Sequence, residues 1–338
     1  MKSIINYSLS FGLTLLFMYL AFRGKDMGQL WESVSGVSFI WFVVLALGGT
    51  ISHVVRAWRW QYLLYPIKPN VSLRNSFSAV MIGYLVNNIL PRVGEVVRPV
   101  AIGKLERISR SAAFGSVILE RILDLITFGV ILLLVLLFYA SSFAKLFPTL
   151  ANVEWVVLAL SSTMLVVCVF VFLKAEFVFS LARKMTALLP RSFHTKAERI
   201  IDSFLTGFGA SKQKGSFFMI AFTSLIIWVS YIVVMYLPFY PFGMIGTNGL
   251  DFSSATILMV VSGIAYAVPT PSGFGSYHFF TAFVLAKLFN VDTTVAAGYA
   301  LYTHSLGFIS TSVVGVYYLI VDKIHIVEIV SEPQSSID

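Results

Sequence analysis

The chain is short of almost everything a water-soluble enzyme is built from. Among 338 residues, Asp and Glu together supply 16, His 5 and Cys only 1. That cysteine, Cys168, rules out a disulfide framework and a Cys-based metal site, and its place in an apolar run makes packing its expected role. No His-x-x-x-His pair or carboxylate cluster reaches metal-site strength, so no metal and no cofactor is expected. A nucleophile elbow and a phosphate-cradling loop with Lys are missing as well, which leaves soluble-type enzyme chemistry and catalytic residues unsupported. Low-complexity segments and a linker between domains are also absent.

What the chain has is oil-soluble sequence. It is 58% hydrophobic and 12% charged, with a mean hydropathy of +0.86, and apolar runs recur from end to end. This predicts an all-α polytopic integral membrane protein with no room for a large soluble domain. The runs are too long for the alternating strands of a β-barrel. A net charge of +8 would suggest nucleic acid in a soluble chain. Here the positive-inside rule and anionic lipid headgroups account for it, and nucleic acid is not an expected partner. Lys2 ahead of an apolar stretch imitates a signal peptide, but no small-x-small site follows and Arg23 and Lys25 come next, so a first transmembrane helix is expected.

Full-length helices are predicted over about 4–22, 37–64, 111–139, 154–173, 217–237 and 294–320, about six spans in one membrane domain, 1–325, with a short polar tail at 326–338. The second ends in His53, Arg56, Trp58, Arg59, Trp60 and Tyr62, and cations so close to rings read as an interface anchor. Residues 174–215 are the most hydrophilic part. Phe177, Leu181, Met185 and Leu188 recur there at helical spacing, which predicts amphipathic helix lying on the cytoplasmic surface.

Two stretches do not fit a full span. The lead-in Ser76 to Leu90 would rise only about 22 Å as a helix, short of a hydrocarbon core of about 30 Å. It runs into Asn87-Asn88-Ile89-Leu90-Pro91-Arg92-Val93-Gly94-Glu95-Val96-Val97-Arg98. Pro91 removes a backbone donor and biases Leu90 away from helix, and Gly94 lets the chain turn. A second short apolar segment breaks at Pro269-Thr270-Pro271-Ser272-Gly273-Phe274-Gly275 before continuing to about 290. Broken backbone survives at membrane depth only where protein or a water-filled cavity satisfies it. Two re-entrant helical hairpins, about 73–109 and 253–290, are therefore expected.

With the N-terminus inside, the cytoplasmic side receives Lys2, the Arg56 to Arg74 group, the Arg92 to Arg110 group and the Lys174 to Lys214 belt, while Arg23, Lys25, Lys145 and Lys287 fall outside. Both termini are then cytoplasmic, and the two breaks are entered from opposite faces. That pattern suggests an inverted repeat around a central site.

Arg92, Glu95 and Arg98 stand near the tip of the first hairpin, beside Asn87 and Asn88. A guanidinium fork matches phosphate or carboxylate oxygens, so Arg92 and Arg98 are expected to hold an anionic headgroup with Glu95 orienting one of them. The plainer alternative is that the three pair with one another and with Glu120 or Asp124 and only lock the hairpin. Glu120 and Asp124 share a helix face around Arg121. Ion pairing to Arg92 or Arg98 is the preferred role for these carboxylates, over a shared proton or bound cation. The second break offers backbone N–H groups and turn residues, Pro271, Gly273 and Gly275, with His278 close by. A gating His278 is weighed against a hydrogen-bonded packing residue, and packing is preferred, as for His53 and His304.

Asn87-Asn88-x-x-Pro91-Arg92-x-Gly94-Glu95-x-x-Arg98, then Glu120-Arg121-x-x-Asp124, then Pro269-x-Pro271-x-Gly273-x-Gly275 resembles the lysylphosphatidylglycerol synthase transmembrane region family, also called flippase-like domain proteins. The resemblance spans nearly the whole chain, from the first helix to Ile320. Family members resemble the membrane half of bifunctional enzymes that make and flip aminoacylated phospholipids, so the resemblance implies a lipid-translocating fold. It marks Arg92, Glu95, Arg98, Glu120 and Asp124 as the positions to test. The chain departs from the pattern in two ways: the soluble aminoacyl-transfer domain is not expected, and His278 stands where the second motif usually closes on Glu. The expected function is translocation of an anionic phospholipid or polyprenyl-phosphate-linked lipid across a bacterial inner membrane, with anionic membrane lipids as partners and a homodimer allowed for. A membrane-embedded transferase using Glu95, Glu120 or Asp124 as base is the alternative, and a non-transporting partner subunit the third.

Overall fold

Apolar sequence of this length has one way to satisfy its backbone in oil, which is to hydrogen-bond within helices. The computed structural model describes residues 2–90, 92–146, 153–186, 198, 201 and 214–324, and among these it contains helices and turns but no strand. In chain order the helices are α1 (Lys2–Phe22), α2 (Met27–Ser35), α3 (Phe39–Leu64), α4 (Leu73–Ile89), α5 (Gly94–Glu106), α6 (Arg110–Leu146), α7 (Val153–Leu173) and α8 (Ala175–Thr186). They continue with α9 (Lys214–Tyr236), α10 (Met244–Asn248), α11 (Phe252–Ala267), α12 (Ser276–Leu288) and α13 (Thr293–Val321). Pro91, most of the predicted belt beyond Thr186, the tail at 326–338 and the side chain of Cys168 lie outside the described residues.

Four of these helices are long and apolar enough to cross a membrane: Phe39–Leu64, Arg110–Tyr139, Phe217–Phe239 and Thr293–Val321. Shorter apolar helices cover Ser8–Phe22 and Phe252–Ala267. Large apolar side chains such as Leu137, Phe138, Phe218, Leu225, Val313 and Ile320 point outward. A soluble monomer rarely carries so much exposed oil, and a bilayer accounts for it. In α8, Phe177 and Leu181 are exposed, with Arg183 and Lys184 in the last turn.

Two differences from the sequence reading stand out. The polar loop after α1 contains a helix of its own, α2, because Asp26 accepts the N–H groups of Gly28 (2.8 Å) and Gln29 (3.2 Å) and Leu30 is buried. Asp26 is thus an N-cap. The proposed interface anchor at the end of α3 is instead interior, with Arg56, Arg59 and Trp60 all buried. The residues that draw them inward are on α6, described below.

Both predicted breaks are present as gaps between helices. α4 has 17 residues and stops at Ile89, where Leu90 turns extended (φ −122°, ψ 110°), and α5 has 13 and restarts at Gly94. α11 has 16 residues, a 3₁₀ turn covers Pro271–Gly273, and α12 has 13. The arms of each pair pack against each other. Gly94 permits this for the first pair, since a Cβ there would lie 1.9 Å from the Gly83 carbonyl oxygen.

Each pair has a core of its own. Trp60, Val80, Ile82, Val97, Ile102, Val117 and Leu119 form one cluster around α4 and α5. Phe239, Leu258, Tyr277, Leu285 and Tyr299 belong to the other, around α11 and α12. Contacts at the ends fix direction. At one end Arg74 (α4) pairs with Asp322 after α13 at 2.5 Å, and Lys68 pairs with Glu106 (α5) at 2.5 Å. At the opposite end Asn248 donates to the Asn290 carbonyl at 3.0 Å.

Candidate functional site

Burying a guanidinium in an apolar bundle is costly unless carboxylates and hydroxyls surround it. Helical spacing arranges that here. Arg56 and Arg59 occupy one face of α3, and Glu120 and Asp124 face them from α6. Arg56 pairs with Glu120, with Asp124 (2.9 Å) and with the Tyr231 hydroxyl (2.9 Å). Arg59 pairs with Asp124 at 2.7 Å and donates to Ser224 Oγ at 3.0 Å. Arg98 reaches Glu120 Oε2 at 2.8 Å and lies over the Trp60 ring, 3.8 Å from its centroid. Arg121 bonds Glu120 at 2.9 Å and comes within 3.9 Å of Glu95.

The charges do not balance. Four guanidiniums, those of Arg56, Arg59, Arg98 and Arg121, share Glu120 and Asp124, and Glu95 stands at the edge. Of these groups only Arg121 and Glu95 are substantially exposed, their side chains 36% and 42% accessible.

Both open onto a cavity of about 960 Å³ between the two broken helices, near the top of the roughly 300–1,000 Å³ usual for small-molecule sites. Asn87, Arg92, Glu95 and Arg121 line it from the first half, and Pro269, Thr270, Ser272 and Gly273 from the second. Tyr84, Trp228, Tyr231 and Tyr266 add aromatic wall, with His53 and Ser262. Arg98 does not line this cavity. It borders a water-sized space of about 30 Å³ shared with Glu95 and Arg121.

The tips are held together through Asn88. Its Nδ2 donates to Thr311 Oγ1 (3.0 Å) and Ser312 Oγ (2.9 Å) on α13, and its Oδ1 accepts from the Ser272 hydroxyl at 2.8 Å. Asn87 Oδ1 accepts the Gly94 N–H at 2.8 Å and so ties the end of α4 to the start of α5. Arg92 sits at the turn with a left-handed backbone (φ 66°), is exposed, and its Nη2 reaches the Ala267 carbonyl at 3.5 Å. A non-glycine residue held there costs about 1–2 kcal/mol.

The remaining sequence-selected residues support the second turn. Pro271 and Gly273 form it, and a Cβ on Gly275 (φ 82°) would lie 2.7 Å from the Thr14 carbonyl oxygen of α1. His278 is buried and its Nδ1 accepts the Gly275 N–H at 3.3 Å. His304 Nε2 bonds the Ser272 carbonyl at 2.8 Å, and the two imidazoles stand 4.7 Å apart. His278, Gly275 and Pro271 lie outside the cavity lining. Sequence reading missed Arg56, Arg59, Tyr231 and Ser224. Arg56 and Arg59 at i and i+3, matched by Glu120 and Asp124 at i and i+4, is the signal that could have found the first two.

Among the described residues, no group of three or more His, Cys, Asp or Glu could hold a metal. Glu106, at the mouth of α5, is lifted by burial. Lys68, the Ser72 N–H and Asn75 outweigh that and hold its carboxyl below the ordinary value.

The fold and site define an integral helical membrane protein with two interrupted helices meeting at a polar cavity. The chain belongs to the lysylphosphatidylglycerol synthase TM region family, whose description matches residues 7–315. It is similar to a UPF0104 membrane protein of Methanocaldococcus jannaschii, 23% identical over 294 residues, covering 83% of this chain and 85% of the relative. A UPF0104 membrane protein of Pyrococcus horikoshii is 25% identical over 281 residues, 78% of this chain and 81% of that one. No solved structure matches the chain.

Proposed function

We propose that the chain translocates an anionic lipid, either a phospholipid or a polyprenyl-phosphate-linked lipid, with the headgroup passing through the cavity between the two broken helices. The observation that carries this reading is the unbalanced charge at the cavity wall, where Arg121 and Arg92 face open space. Arg98 acts from behind, fixing Glu120 and with it Arg121. A phosphate entering the cavity meets a surplus of positive charge in low dielectric, where the attraction is strong.

In this reading α4–α5 and α11–α12 are re-entrant hairpins entered from opposite faces, and α1, α3, α6, α7, α9 and α13 are full spans. The end holding Arg74, Glu106 and Asp322 is cytoplasmic, as the concentration of Lys and Arg there supports. The membrane is the cytoplasmic membrane, with both termini inside, and α8 draws anionic lipid toward that face.

Reconstitution into vesicles with a fluorescent anionic phospholipid tests the proposal. Wild type should speed its exchange between leaflets, Arg121→Gln should slow it at least tenfold, and Arg92→Gln should slow it less. Equal rates in protein-free and protein-containing vesicles would end this reading. A transferase acting on a lipid-linked substrate is the second reading, favoured by one observation: Glu95 is a half-exposed carboxylate on the cavity, while Glu120 and Asp124 are held by guanidiniums. Covalently altered lipid, lost in Glu95→Gln, would identify it.

A further inference from the structure

A cavity that only had to hold phosphate would have no use for a carboxylate. Glu95 is an acceptor without a proton to give, and it repels the group that Arg121 and Arg92 attract. It is not locked in a tight pair either, since its nearest cation, Arg121, is 3.9 Å away. Glu95 therefore keeps acceptor capacity to offer a ligand, its side chain 42% accessible at the cavity wall.

Two kinds of headgroup bring donors: an ammonium or a set of hydroxyls. The charge around the site decides between them. Four guanidiniums, those of Arg56, Arg59, Arg98 and Arg121, stand among the carboxylates of Glu95, Glu120 and Asp124, and Arg92 adds a fifth on the cavity wall. Once a phosphate has taken up part of that surplus, a further cation gains little, whereas hydroxyls bond to Glu95 without a charge penalty.

The rest of the lining fits hydroxyl-bearing carbon. Trp228, Tyr266 and Tyr84 come from three helices and line the same space, and aromatic walls suit the C–H face of a cyclic polyol. Trp228 Nε1 is buried with no hydrogen-bond partner, an unmet donor of the kind that a hydroxyl oxygen satisfies. Asn87 has its Oδ1 committed to Gly94, so its Nδ2 is the end it can offer. A carboxylate, an indole N–H and an amide around flat rings form a recognition set for neutral hydroxyls.

We infer that the cavity takes a lipid whose phosphate is esterified to a neutral polyol, a sugar or sugar-like ring, with the phosphate on Arg121 and Arg92 and the hydroxyls on Glu95, Asn87 and Trp228. This rests on the anionic-lipid reading above and narrows it.

The test is competition binding on the purified full chain in detergent, with four probes of matched acyl chains: phosphatidylcholine, phosphatidic acid, phosphatidylinositol and lysyl-phosphatidylglycerol. Wild type should hold phosphatidylinositol at least tenfold more tightly than phosphatidic acid or the lysyl lipid. In Glu95→Gln and Trp228→Leu the ratio of phosphatidylinositol to phosphatidic acid affinity should fall toward one, and in Trp228→Phe, which keeps a ring but loses the N–H, it should fall partway. Because each ratio compares two lipids on the same preparation, a loss of folded protein cannot imitate it. Phosphatidic acid binding as tightly as phosphatidylinositol overturns the inference and leaves the anionic-lipid reading intact, and so does a preference for the lysyl lipid. No anionic lipid exceeding phosphatidylcholine overturns both.

Discussion

The two broken helices have nearly the same dimensions and carry opposite equipment. Their arms run to 17 and 13 residues in one and 16 and 13 in the other, and each tip holds a non-glycine residue in the left-handed region, Arg92 (φ 66°) and Ser272 (φ 50°). The first carries Arg92, Glu95 and Arg98. From Phe252 to Ala286 the second has no Asp, Glu, Lys or Arg at all. The difference follows from what each one packs against. The first rests on α3 and α6, whose arginines and carboxylates compensate any charge it brings, as well as on α13. The second rests chiefly on α13, α9 and α1, which offer His304, hydroxyls and backbone. One arm of the site supplies the field, and the other supplies shape and neutral hydrogen bonds.

The comparison can be broken at the charged side with the largest effect. Glu120→Gln leaves Arg98 without its carboxylate partner and Arg56 with Asp124 alone, and the protein should lose about 3–5 kcal/mol, read as a fall in the thermal unfolding midpoint. A comparable change in the uncharged hairpin, Thr281→Val, should cost far less, since Thr281 Oγ1 is buried with no hydrogen-bond partner. Equal losses would mean that the two hairpins are not differently built.

Close packing comes next. Gly94→Ala sets a methyl 1.9 Å from the Gly83 carbonyl oxygen and forces the arms apart, costing about 1–3 kcal/mol. The joint between hairpins ranks third: Asn88→Ala removes the bonds to Ser272, Thr311 and Ser312. About 1–2 kcal/mol should be lost, with faster hydrogen exchange at both tips. Exchange rising at one tip alone would show that Asn88 does not couple them.

The smallest effect is at the end of α5, where Lys68 meets Glu106. Glu106 has a folded-state carboxyl held below its ordinary value, so its contribution is complete above the unfolded value of about 4.3 and drains away as pH falls below that. The stability gap between wild type and Glu106→Gln should therefore narrow in acid, measured by thermal unfolding at neutral pH and at about pH 3.5.

Much of this was legible in the sequence. Pro91, Gly94 and the Pro269–Gly275 run marked the places where helix had to stop, and the family resemblance drawn from those motifs holds over residues 7–315. Glu120 and Asp124 were read as ion-pair partners for Arg92 or Arg98: Glu120 does hold Arg98, while Asp124 takes Arg56 and Arg59. The fate of Arg56 and Arg59 was not legible, because a cation beside Trp58 and Trp60 fits an interfacial anchor as well as a buried pair. Only the position of α6 decides between them. The cavity was hidden for the same reason: Tyr84, Trp228 and Tyr266 are ordinary apolar-helix residues until three helices bring them together. α2 was missed because its nine residues follow Arg23, Lys25 and Asp26, and charge density there outweighed the capping signal.

Photo-crosslinking from inside the cavity tests the central claim most directly. With benzoylphenylalanine in place of Tyr266, the protein in membranes should capture anionic lipid, identified by mass spectrometry, and Arg121→Gln in the same background should abolish the adduct. Capture of zwitterionic and anionic lipids in proportion to their abundance, unchanged by Arg121→Gln, would contradict it.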